Sequence, residues 1–367
     1  MNKYLLPISL FVLFSCKEPQ EKTPGIAAEQ NSSFLIPFEK ADTLNPVLEK
    51  GNGSFVCPIL NKSIPWENKD VFNPAAIVRN DTLFLLYRAE DTIGKFAGTS
   101  RIGIAWSLDG EHFTKHKEPV LYPQKDQNYR WEWEGGCEDP RIIETEDGSY
   151  IMTYTAYDGK LARLLVAKSK DLYHWEKFGS VFNDSSNKKY IDHWSKSGAI
   201  IGKMNQGKII ATKINDRYWM YWGDTDIFLA SSDDLIHWSP VEKDGKLLTV
   251  FGPRKGKFDS DLVEPGPPAM ITDKGILLIY NCRNVPSKGD SSLVEGTYAP
   301  SQILLDPKDP TKVLSRMDTY FMKPEKPYEV NGQVNRVCFA EGLVYYKNAW
   351  RLFYGTADSK IAMAVKK

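Results

Sequence analysis

The sequence predicts an all-β fold, a five-bladed β-propeller built as a single domain, from three observations. An apolar, aromatic-rich segment ending in Tyr recurs five times, and three of its copies lead into Ala-x-Ser-x-Asp followed by Trp or Phe. The tyrosines Tyr87, Tyr154, Tyr221, Tyr280 and Tyr354 fall roughly sixty to seventy residues apart, the period of a radially repeated sheet. Sustained helical periodicity is absent after residue 34, and so is any linker.

Each element follows from that unit. The first copy is residues 83–87 with Ala105, Ser107, Asp109 and Phe113; the second is 151–154 with Ala167, Ser169, Asp171 and Trp175. The third is 219–221 with Ala230, Ser232, Asp234 and Trp238; two degraded copies centre on Tyr280 and Tyr354. Blades are expected over residues 72–122, 138–182, 195–248, 262–305 and 337–367. Residues 34–66 precede them and are expected to lend the last blade a strand, because an unclosed array leaves an exposed edge. Asp109-Gly110, Asp147-Gly148 and Asp158-Gly159 sit where tight turns are needed.

Residues 1–16 read as a lipoprotein signal: Lys3, an apolar run too short to span a bilayer, then Ser15-Cys16. Cys16 would become the lipidated residue, followed by a polar tether over 17–33 and the catalytic domain over 34–367. This places the chain outside the cytoplasm, held to the outer membrane at its periplasmic face or the cell surface by that lipid alone. With 47 basic and 47 acidic side chains, the charge balance gives no sign of a nucleic-acid partner. Cys57, Cys137, Cys282 and Cys338 form no CxxC pair, so no metal site is expected, and buried free thiols are.

The chemistry is expected where the blades open. Asn73, Asp139, Lys196, Glu264 and Glu341 occupy equivalent opening positions and should converge on one central pocket. Charged groups followed at once by Pro, Gly and apolar strand are poor core material. Carboxylates facing each other across such a pocket suit glycoside hydrolysis, one as acid and one as base. Arg88 and Arg101 could clamp sugar hydroxyls or pair internally with Glu90, Asp91 or Glu138.

These openings resemble glycoside hydrolase family 130, the mannoside phosphorylases and mannosidases. The resemblance is carried by Asn73-Pro74-Ala75, Tyr87-Arg88-Ala89, Ser100-Arg101-Ile102-Gly103 and Gly136-Cys137-Glu138-Asp139-Pro140-Arg141. Tyr154-Thr155-Ala156-Tyr157, Gly266-Pro267-Pro268 and Tyr354-Gly355-Thr356-Ala357-Asp358 extend it. It implies a five-bladed propeller, no cofactor and a mannose-containing glycan as partner. Asp139 would be the proton donor, acting through a sugar hydroxyl. Asn73, Arg88, Ser100, Arg101, Glu138, Arg141, Tyr157, Asp158, Lys196 and Asp358 would hold substrate.

Two departures point to the hydrolytic branch, which acts on β-1,2-linked mannosides. Phosphorylase members carry Lys shortly before Gly-Pro-Pro and His after the fourth Tyr; here these positions read Glu264 and Asn281. An acid repels phosphate and suits water, which makes Glu264 the expected general base, with Asp224 as a second acidic group. The expected reaction is inverting release of terminal β-mannosyl units. Phosphorolysis, an arabinanase-like activity and a non-catalytic sugar-binding lipoprotein are the alternatives.

Overall fold

Five antiparallel sheets follow one another along the chain in the computed structural model, which describes residues 33–96, 98–184, 188–285 and 287–367. Cys16 and residues 17–32 of the tether lie outside the described residues. Among the described residues, helix is confined to two four-residue segments, Tyr129–Glu132 and Pro327–Val330, and a 3₁₀ turn at Lys188–Tyr190. The chain is thus nearly all-β.

The first sheet runs Asp70–Arg79, Thr82–Glu90, Ser100–Ser107 and Thr114–Lys115, each strand antiparallel to the one before. The second repeats this with Gly136–Glu144, Tyr150–Tyr157, Ala162–Ser169 and Glu176–Ser180. In the third, Ala199–Asn205 pairs both with the hairpin strand Lys208–Ala211 and with Tyr218–Trp222, which continues into Ile227–Ser232. The fourth splits its first strand into Leu262–Pro265 and Ala269–Thr272, both paired to Gly275–Arg283, and then adds Tyr298–Leu305 and Val313–Arg316. The fifth comprises Cys338–Tyr346, Ala349–Thr356 and Lys360–Lys366. Its fourth strand is Glu39–Lys40, with Glu39 opposite Val365 and Lys40 opposite Ala364. The segment before the first sheet therefore does lend a strand to the last one.

Neighbouring sheets bury their faces against each other. Phe182, Trp222 and Trp238 pack in one seam; Leu85, Phe353 and Met363 pack in another. Parallel contacts such as Ser100 to Gly136 and Ile201 to Ala269 tie first strands to adjacent sheets. Cys57, Cys137, Cys282 and Cys338 are buried free thiols.

The Ser-x-Asp repeat is a turn device. Ser107, Ser169 and Ser232 each donate a hydroxyl hydrogen bond to Asp109, Asp171 and Asp234 respectively. Each Asp then accepts two backbone amides and faces a His three residues on: His112, His174 and His237, at 2.7–2.8 Å. Short polar side chains that mimic a turn's own backbone bonds fix such reversals.

Candidate active site

The first strands open with a local irregularity at the polar residue. Pairing shifts between Phe72 and Pro74, stranding Asn73, and between Glu138 and Arg141, stranding Asp139. Asn73 and Asp139 adopt left-handed backbone at φ 48° and 47°, and Ser197, beside Lys196, at 58°. Asn and Asp tolerate that region better than most residues. A proline follows Asn73, Asp139 and Glu264; it has no amide to donate and suits a bulge. A bulge bends its strand and re-aims one side chain. Here it turns a polar group out of the ladder.

Those groups meet in one cleft of about 460 Å³, open to solvent, whose walls include Asn73, Arg88, Asp139, Lys196, Glu264 and Asp358. Tyr298, Val334, Val337 and Phe339 supply an apolar side. Asn73 donates its amide to Asp139 at 2.9 Å, and Arg88 reaches the same oxygen at 3.3 Å. Arg88 also donates to Ser100 at 3.0 Å and Glu90 at 2.8 Å, and lies 3.0 Å from Glu138. Lys196 stands 3.6 Å from the other Asp139 oxygen. Ser197 donates its hydroxyl to Glu264 in a short contact.

The two candidate catalytic carboxyls are tuned in opposite directions. Burial alone would push Asp139 up, but Arg88, Lys196, Arg141 and the Asn73 amide outweigh it and hold the carboxyl well below the usual range. Burial pushes Glu264 up; Lys196 and Arg141 oppose this, and Asp224 adds to it. Glu138 is pushed up to about 7 by burial and by Asp139, against the pull of Arg88. Asp358 rises to about 7, also chiefly by burial. Burial would lower Lys196, but Glu264 and then Asp139 overcome it and keep the amine charged. Asp139 is thus held ionised and Glu264 is drawn toward its protonated form, the reverse of the acid and base roles the sequence assigns them, so Asp139 must receive a proton before it can donate one.

The remaining sequence-selected residues are not among the side chains that line this cleft. Ser100 and Glu138 hold Arg88 from behind. Arg101 is buried and pairs with Asp91 at 2.6 Å. Arg141 is buried too: it donates to the backbone carbonyls of Asp139, Pro265 and Gly266 and lies 2.9 Å from Glu341. It thereby joins the strand of Asp139 to the strand of Glu264. Glu341 is fully buried beneath the cleft, so the fifth opening supplies a floor instead of a wall. Tyr157 pairs with Gly136 at the strand end. Asp158 caps the amides of Lys160 and Leu161 and pairs with Arg163 at 2.8 Å, which is turn chemistry. Asp224 accepts the Trp194 indole N–H at 2.6 Å. Sequence reasoning missed Tyr298, Val334, Val337 and Phe339, which repeat no motif. Among the described residues no cluster of His, Cys, Asp and Glu is arranged to hold a metal ion.

Comparison with known proteins bears on this arrangement. The family model of glycoside hydrolase 130, described as beta-1,4-mannooligosaccharide phosphorylase, matches residues 39–367. A 1,2-beta-oligomannan phosphorylase of Thermoanaerobacter sp. (strain X514) is 32% identical over 309 residues, 82% of this chain and 90% of that protein. A glycosyl hydrolase from Bacteroides ovatus superposes with a TM-score of 0.88 at 45% identity, covering 90% of this chain and 94% of the other. A further structure matches with a TM-score of 0.88 at 43% identity, over 91% of this chain and 96% of its own. It comes from work describing glycoside hydrolases within this family of mannoside phosphorylases that target β-1,2 mannosidic linkages in Candida mannan.

Proposed function

Because the chain belongs to glycoside hydrolase family 130, whose members act on mannosides, we propose that it hydrolyses β-1,2-mannosides, releasing a terminal β-mannosyl unit with inversion. The observation that carries this reading is that Asp139 and Glu264, from different sheets, line one cleft.

In this reading the mannosyl unit lies against Asn73, Arg88, Lys196 and Asp358. Glu138 and Asp139 both contact Arg88, and Glu138, pushed up to about 7, is the one that carries a proton near neutral pH. Asp139, which lines the cleft, relays that proton from Glu138 through a sugar hydroxyl to the glycosidic oxygen as the bond breaks, and ends ionised as it began. Glu264, positioned by Ser197, takes a proton from water, and that water adds to the anomeric carbon from the opposite face. The negative charge of Asp224 raises the proton affinity of Glu264, which strengthens it as a base. Glu264 also stands where a phosphate nucleophile would need a cation, and this favours water over phosphate. The five successive antiparallel runs of strands, the last completed by Glu39–Lys40, support reading the fold as a five-bladed propeller. Cys16 is proposed as the acylated anchor; a Cys16→Ser variant that stays in the membrane fraction would remove that proposal.

The test is incubation with β-1,2-mannobiose, with and without phosphate, following anomeric configuration by NMR. α-Mannose formed without phosphate is the expected product; mannose 1-phosphate formed only when phosphate is added would establish phosphorolysis instead. Glu264→Gln should lower turnover by about 10²-fold or more. The pH profile should be bell-shaped, falling on the acid side as Glu264 protonates and on the alkaline side as the Glu138–Asp139 pair loses its proton.

A further inference from the structure

Trp194 is an exposed tryptophan on the connection that enters the third sheet, two residues before Lys196. Its relative exposure is 43%, yet it is held on every side. His193 before it packs edge-on to Tyr190 at 6.0 Å and to Trp222 at 6.0 Å. Ser195 after it is buried: its amide donates to the Ala162 carbonyl at 3.1 Å, and its hydroxyl accepts the Leu164 amide at 3.0 Å. The indole N–H is taken by Asp224 at 2.6 Å. Asp224 is itself close enough to raise the proton affinities of Lys196 and Glu264, both cleft walls. Next to it, the Gly223 amide donates to the Lys196 carbonyl at 3.0 Å. A large aromatic face is thus exposed two residues from Lys196, a wall of the cleft, with its one polar atom already satisfied.

A rigid, exposed indole with nothing left to donate offers only its face. Aromatic faces take the C–H side of a flat apolar or amphipathic ring, and a pre-fixed side chain loses little entropy in doing so. We propose that Trp194 is the platform for the second sugar of the substrate, the unit on the leaving side of the scissile bond, and that Asp224 is a positioning residue for it. This deepens the mannosidase reading and rests on it. It gives Asp224 a task that does not require contact with the attacking water.

The test uses the full-length Glu264→Gln protein, so that bound disaccharide persists, and titrates it with mannose and with β-1,2-mannobiose by calorimetry. Adding Trp194→Ala, or Trp194→Leu as an apolar second variant, should weaken mannobiose about tenfold and leave mannose unchanged. Trp194→Phe should restore part of the loss. If the Glu264→Gln parent binds neither sugar, the mannoside reading itself falls and the platform with it. If the parent binds both, and the Trp194 variants weaken neither or weaken the two alike, the platform alone is overturned.

Discussion

Four of the five sheets contain the same buried lock, and the third does not. In the first, second, fourth and fifth sheets the repeat tyrosine donates its hydroxyl to an acid on the segment that enters that sheet. Tyr87 bonds Glu67, Tyr154 bonds Glu132, Tyr280 bonds Asp259 and Tyr354 bonds Glu329, at 2.7–3.1 Å. A cation from the outermost strand completes each: Lys115, Lys177, Arg316 and Lys40 respectively. Each acid is almost wholly shielded from water. In the third sheet Tyr221 donates to the Pro310 carbonyl instead, at 2.9 Å. The connection entering that sheet is held by the stacking of Tyr190 and His193 on aromatic neighbours. That connection carries Trp194, Lys196 and Ser197. The entry with no buried charge lock thus brings the cleft a charged side chain, a serine that contacts Glu264 and an exposed aromatic face.

The contrast can be broken or sharpened by substitution. Asp259→Asn takes from the partly buried Arg254 and Arg316 the carboxylate they share, and a buried pair broken on one side costs about 3–5 kcal/mol, an upper bound here. Denaturant unfolding should show that loss; an unfolding midpoint close to wild type would mean the lock is ornamental. Lys196→Met should do the opposite, lowering kcat by about 10²–10³-fold, as removal of a charge-stabilising group does, while the thermal midpoint moves little. Because Lys196 lowers both Asp139 and Glu264, its loss should also carry the pH profile upward. Tyr280→Phe removes the bond to the Asp259 carboxylate and the one accepted from Arg316 and should cost about 1.5–3 kcal/mol, whereas Tyr221→Phe removes a single neutral bond and should cost about 0.5–1.5 kcal/mol. Equal losses at the two positions would erase the distinction between the sheets.

The smallest effect belongs to the Ser-x-Asp turns. Asp171 and Asp234 are lowered to about 2 from an ordinary 3.8; burial opposes this, and the His and amide hydrogen bonds prevail. A carboxyl held low in the folded chain stabilises it above the unfolded value, and that support drains away as pH falls through the folded one. Stability should therefore decline between about pH 4 and pH 2, modestly, because these turns are partly exposed and screened. An Asp171→Asn, Asp234→Asn double variant should flatten that part of the curve.

Sequence patterning made the skeleton legible wherever the physics is local. The repeat tyrosines, the Ser-x-Asp turns and the proline after a polar opening residue each require a fixed spacing, so they survive as motifs. Asn73, Asp139 and Glu264 were readable for that reason. Val334, Val337 and Phe339 were not, because they sit on the connection into the fifth sheet and at its start, and only the assembled fold brings them to the cleft. The acids of the locks were equally hidden, standing at irregular distances before each opening. Asp158 and Arg141 show the converse. Arg141 closes the Glu-Asp-Pro-Arg run and Asp158 directly follows Tyr154–Tyr157, yet Asp158 spends its carboxylate on a turn and Arg141 its guanidinium on backbone carbonyls. A motif states which residue is kept, and only contacts state what it is kept for.

The pairing of Glu39–Lys40 with Lys360–Lys366 makes the last sheet depend on residues more than three hundred positions apart. Its buried glutamate, Glu329, takes its counter-ion from Lys40, so neither end of the molecule is satisfied until the other arrives. During synthesis the early strand must wait, unpaired, for almost the entire polypeptide to emerge. Closing so large a loop is slow and entropically costly. Completion of the last sheet thereby waits for residues 360–366 to be made, and a clip beside either strand would unfasten the same clasp.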